Sequence, residues 1–249
     1  MALLPAPQQA AKPAAVLVTC CAQGQRAPED RLSPAELLPV AAETCVAVAA
    51  LHDAATVHKD LKPANFLVAA DGHLCVGDLG VSDDASHHAL SGAGTWFFQA
   101  PEQRYSTTRL GRMLHALRIA LADMAERLGF PCDSRPVDVW ALAVTWLTIS
   151  LTVDEVLRVM KTAHAGKPLQ LPAYVPAALA DLLQRGMLVK RPSKRFTIRQ
   201  VMAHPYFARV SWRQAEARRL LLLDLRALAA QGREYIHAGS STDVMREAA

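Results

Sequence analysis

The chain has 249 residues with 51% apolar content, enough for one buried core and too apolar for global disorder. Its 27 basic and 23 acidic residues, net +4, are spread without a dense Lys/Arg stretch, which argues against a nucleic-acid partner. Five cysteines, Cys20, Cys21, Cys45, Cys75 and Cys132, are odd in number and lack the paired spacing of a zinc or dithiol site, so a reducing, cytoplasmic setting is expected.

The Pro/Ala/Gln-rich opening, residues 1–14, reads as a flexible leader, with no basic stretch running into an apolar core that would direct secretion. Val16, Leu17 and Val18 suit a short buried strand, although a turn of helix explains them equally. Ser33, Pro34 and Glu36 then combine an N-cap hydroxyl, a first-turn proline and a carboxylate at the third helical position. A helix is expected from there to about Leu51, burying Leu38, Ala41, Cys45 and Val48. Two apolar runs, Val46 to Leu51 and Val137 to Leu151, fall short of the roughly 20 residues that cross a bilayer. Both are expected to be core helices, and no membrane partner is expected.

Phe66 to Val68 and Leu74 to Val76 read as two short strands joined at Asp71-Gly72. Leu110, Leu114, Leu117, Leu121, Met124 and Leu128 recur at helical spacing, with Arg112, Arg118 and Arg127 off that line. They predict a packed amphipathic helix at about 108–130. Leu179, Leu182, Leu183 and Met187 mark another helix, and Thr197 with Gln200 caps a short one before Pro205. Residues 209–249 are expected to hold a last helix, Arg218 to Ala230, and an unstructured polar tail.

The chemistry concentrates in His58-Lys59-Asp60-Leu61-Lys62-Pro63-Ala64-Asn65 and Gly77-Asp78-Leu79-Gly80, which place carboxylates, an ammonium and an amide on loops either side of the hairpin. Phosphoryl transfer needs this inventory: magnesium ligands, charge neutralisation and a carboxylate for the attacking hydroxyl. Either aspartate alone would more often be a turn or capping residue. His58 is expected to be a packed structural histidine, and His87 and His88 to be solvated.

These stretches resemble the HRDLKPxN catalytic loop and the DFG motif of eukaryotic protein kinases. Gly94 to Glu102 resembles the end of the activation segment, and Asp138-Val139-Trp140 the start of the long buried helix. Arg195 stands where the family pairs an arginine with the Ala-Pro-Glu glutamate, and His204 to Phe207 resembles the closing motif. The resemblance covers roughly residues 15–208 and implies an α+β, mainly helical, protein kinase-like C-terminal lobe with a small catalytic-loop hairpin.

By that resemblance Asp60 would orient the substrate hydroxyl, Lys62 would neutralise the transferring phosphate, and Thr95 would bridge them. Asn65 and Asp78 would hold magnesium. Leu67 would floor the adenine of ATP, with Val18 and Cys20 in the hinge region. Lys62 and Thr95 resemble the serine/threonine-specific branch, which implies a protein substrate phosphorylated on Ser or Thr.

The glycine-rich loop, the phosphate-anchoring lysine and its glutamate have no counterpart before the hinge, so a truncated N-terminal lobe and weak or partner-dependent activity are expected. Lys59 replaces the family's arginine, turning a planar fork into a point charge and arguing against control by loop phosphorylation, although Ser82, Ser86 and Ser91 lie in the segment. The alternatives are a pseudokinase-like interaction module, docking a partner protein through the inserted helix or the exposed N-lobe face, and a truncated kinase fragment without catalysis.

Overall fold

A computed structural model describes residues 15–16, 31–69, 73–87, 94–104, 109–128 and 133–216. The expectations at Leu17, Val18, Cys20, Ser91 and His88, and for the segment after residue 216, lie outside these.

The described residues are mainly helical. Helix α1 (Pro34–Asp53) starts where the sequence placed it: the Ser33 hydroxyl accepts from the Glu36 N–H, and the Glu36 carboxylate accepts from the Ser33 N–H at 2.8 Å. At 20 residues it is long and apolar enough to cross a membrane by length and composition, which corrects the run-length reading. It nevertheless buries Leu37, Val40, Cys45 and Val48 in the core, so its apolarity serves packing.

The chain then makes strand β2 (Thr56–Val57), a one-turn 3₁₀ segment at Pro63–Asn65, and a hairpin of β3 (Phe66–Val68) and β4 (Leu74–Val76). Phe66 pairs with Val76 and Leu67 with Cys75, and β1 (Ala15–Val16) adds antiparallel to β3. Strand β5 (Asp83–Asp84) pairs with β2, a contact that no local pattern announces.

After α2 (Arg109–Arg127) comes α3 (Pro136–Ser150), whose residues from Val137 to Ile149 are all buried. The Trp146 indole N–H donates to the Thr44 hydroxyl at 3.0 Å, tying α3 to α1. Helices α4 (Val153–Ala165), α5 (Ala177–Leu182), α6 (Ile198–Met202) and α7 (Trp212–Glu216) complete the helical layer. A π-helical turn, Leu183–Met187, continues α5, and α6 carries the expected Thr197/Gln200 cap. Phe207 sits edge-on between Trp146 and Trp212, closing the core beneath α1.

The expectation of a packed α2 is corrected. The helix forms, but Leu110, Leu114, Leu117, Leu121, Met124 and Leu128 are all exposed among the described residues. Periodicity predicts which residues share a face. It does not say what that face meets.

Candidate active site

The loop that carries Asp60 is held from below by one buried carboxylate. Asp138, in the first turn of α3 and fully buried, accepts the backbone N–H of His58 (2.8 Å) and of Lys59 (2.9 Å), and contacts His52 Nε2 at 3.0 Å. An acid in a helix otherwise this apolar needs such partners, because an unpaired buried charge costs several kcal/mol. Lys59 takes φ +67°, a left-handed turn that the two Asp138 bonds stabilise.

His58 is fully buried, and its protonation follows from its partners. Nδ1 receives the Asp60 N–H (3.2 Å), so it carries a lone pair; Nε2 lies 2.9 Å from the Gly77 carbonyl, so it donates. A neutral His58 protonated on Nε2 therefore links the Asp60 loop to the Asp78 loop, a structural part as expected.

Around Asp60 the geometry is dense. Lys62 Nζ donates to Asp60 Oδ2 at 2.7 Å and to Thr95 Oγ1 at 2.8 Å, while the Thr95 backbone N–H donates to Asp60 Oδ1 at 2.6 Å. Thr95 thus spans both groups, through its hydroxyl and its main chain. Gly94 makes this approach feasible: it takes φ +91°, and an added Cβ would stand 2.2 Å from the Lys59 carbonyl oxygen.

Asn65 Nδ2 donates to the Asp60 carbonyl at 2.8 Å, which turns the amide toward the Asp60 loop. Gly77, just before Asp78, donates its N–H to the Asn65 carbonyl at 2.8 Å, so the two loops share a backbone tether. Asp78 takes φ +59° and is exposed; no hydrogen bond joins its side chain to the cluster among the described residues. The structure therefore unites Asp60, Lys62, Asn65 and Thr95 in one network and sets Asp78 beside it. Leu67 is half-buried on β3, its Cδ1 3.0 Å from where a Cβ on Gly77 would stand, while Val18 and Cys20 lie outside the described residues.

The segment 94–104 is anchored to the body by a buried ion pair. Arg195 meets Glu102 in a two-pronged contact at 2.7 and 3.0 Å, donates also to the Pro136 and Val189 carbonyls, and lies over the Trp140 ring. Arg104 covers Trp96 at 4.2 Å, and burial lowers its guanidinium to about 10.

Sequence reasoning missed two partners. Lys59 does not face solvent: its Nζ, on a side chain 2% exposed, donates to Asp83 Oδ2 at 2.7 Å. Asp83 also meets His87 at 2.6 Å, and the Lys59 hydrogen bond holds its carboxyl well below the usual carboxylate range. His87 is half-exposed but paired, rather than simply solvated. The second is the set of contacts made by Asp138, which the sequence placed at the start of the buried helix and showed as a lone acid in an apolar run, but without its partners His52, His58 and Lys59.

The protein kinase domain family model matches residues 12–114. The serine/threonine-protein kinase ppk34 of Schizosaccharomyces pombe is 28% identical over 186 residues, covering 68% of this chain and 45% of that protein. Serine/threonine-protein kinase STK11 of Rattus norvegicus is 30% identical over 167 residues, and that of Xenopus laevis 31% over 168, each covering 63% of this chain and 33% of the relative. The chain thus spans less than half the length of these relatives. These matches support a eukaryotic-type serine/threonine protein kinase catalytic domain.

Proposed function

We propose that this chain carries the lower-lobe half of a serine/threonine protein kinase site, transferring the γ-phosphoryl group of ATP to a protein hydroxyl with magnesium. The observation that carries the reading is the Asp60–Lys62–Thr95 cluster. In it a carboxylate, oriented by a main-chain N–H, sits in contact with an ammonium. Asp60 would accept the proton as the serine or threonine oxygen bonds to phosphorus and the bond from phosphorus to the ADP oxygen breaks. Lys62 would stabilise the charge on the transferring group.

The donor set fits magnesium: the Asn65 amide oxygen and the Asp78 carboxylate are hard oxygen groups that would hold it. When bound, the ion would neutralise triphosphate charge. Leu67 would pack under adenine.

No lysine–glutamate pair that could anchor the phosphates occurs among the described residues, so these residues alone would give slow transfer unless a further part supplies that counter-charge. A serine or threonine side chain of a protein is the proposed acceptor, and the cysteine usage supports a cytoplasmic setting. Exposed Leu79 and Val81, at 50% and 41%, favour a second reading in which this face holds a partner without catalysis.

Incubation of the full chain with radiolabelled ATP, magnesium and a serine/threonine peptide tests the choice. Label transfer lost in Asp60→Asn supports the first reading; transfer that survives it, or none with any added upper-lobe fragment of a relative, overturns it.

A further inference from the structure

Helix α2 takes no part in the cluster around Asp60. Leu110, Leu114, Leu117, Leu121, Met124 and Leu128 are each 49–66% exposed, with Met113 beside them at 63%. Ile119, on the opposite side by helical spacing, is half-buried, so the helix turns its most apolar row outward. The steps along that row run four, three, four, three, four, the spacing of two-stranded coiled-coil seams.

The row also reads alike from either end about residue 119. Two copies laid antiparallel in that register set Leu110 against Leu128 of the second copy, Leu114 against its Met124 and Leu117 against its Leu121. Each contact then recurs by the two-fold axis, the requirement for a closed symmetric pair. We propose that α2 is the homodimerisation element of this chain, pairing antiparallel with α2 of a second copy.

The helix dipoles favour this direction: antiparallel pairing opposes them, whereas parallel pairing would align them. The exposed row offers on the order of 700 Å² per copy, close to the roughly 800 Å² per partner of a standard interface. This inference does not rest on the kinase reading.

Sedimentation velocity of the full chain at micromolar concentration tests it. A dimer is expected, its dissociation constant raised about 100-fold or more in Leu117→Glu/Leu121→Glu. Because both side chains are exposed, the variant's circular dichroism and melting should match the parent, and Leu117→Ala/Leu121→Ala should weaken the dimer less. An equal mixture of Leu110→Cys and Leu128→Cys chains should oxidise to a cross-linked dimer above the background of the unsubstituted chain, with neither alone doing so. A monomeric parent, a dimer that survives the double glutamate change, or self-cross-linking of Leu110→Cys overturns the proposal. So does α2-dependent flotation of a monomer with phosphatidylserine vesicles.

Discussion

The loop from His58 to Asn65 and helix α2 are both rich in groups whose local preferences are unmet, and the fold treats them in opposite ways. In the loop, buried polar atoms are joined by Asp138, His58 and the Asp60–Lys62–Thr95 contacts, so nearly every group has a partner. In α2, apolar side chains with strong reason to be buried face solvent. The first is a region whose geometry is over-determined from within; the second is waiting on something outside itself. Disturbing the loop should therefore cost stability, whereas disturbing α2 should cost association and little else.

The largest effect is expected at Asp138. Asp138→Ala strips two buried N–H groups and His52 of their acceptor, and chemical denaturation should show a loss of about 3–5 kcal/mol. Gly94→Ala should follow at about 2–3 kcal/mol, since the new Cβ meets the Lys59 carbonyl and the left-handed backbone disfavours it. The same change should displace Thr95 from Asp60, so transfer activity should fall further than stability does.

A pH test comes next. His164 is pulled down to about 4, chiefly by burial and then by Arg104, from an ordinary value of 6.5. The unfolded chain therefore binds the proton more readily between those values. Stability should be full above pH 6.5 and decline as pH falls toward 4, by at most about 3 kcal/mol. His164→Leu should flatten that decline in melting curves taken across the window; equal slopes for both proteins would contradict the assignment.

Smaller still is Lys59. Lys59→Met removes an ion pair whose carboxylate partner is 39% exposed, and should cost about 1 kcal/mol or less. Because Asp83 already occupies Lys59, replacing the loop serines Ser82 and Ser86 by alanine should leave activity unchanged in the peptide assay. The smallest effect on stability belongs to Leu117→Ala in α2, within about 0.5 kcal/mol in the monomer.

How far the sequence carried depends on the range over which each feature is decided. The α1 cap at Ser33, the β3–β4 hairpin and the Thr197/Gln200 cap are set by neighbours three to ten residues apart, and the chain shows them openly. The grouping of Asp60, Lys62, Asn65 and Thr95 was legible because motifs at family-like spacing occur in order. The β2–β5 pairing and the Lys59–Asp83 contact join residues that only the folded chain brings together, so no local pattern reports them; Asp138 stood out as a lone acid in an apolar helix, but its partners His52, His58 and Lys59 did not. Helix α4 went unread although Thr152 and Glu155 form a capping box, a signal that could have been found. The exposure of α2 was illegible for a different reason: its periodicity is the same whether the covering surface comes from its own chain or another.

The proposed site requires Asp78 and Asn65 to act with the Asp60 cluster on one magnesium-bound triphosphate. Isothermal titration of ATP into the full chain, with and without magnesium, tests this most directly. Binding should require magnesium and be lost in Asp78→Asn, while melting stays within about 0.5 kcal/mol of the parent because that side chain is exposed. Binding that ignores magnesium, or that survives Asp78→Asn unchanged, would contradict it.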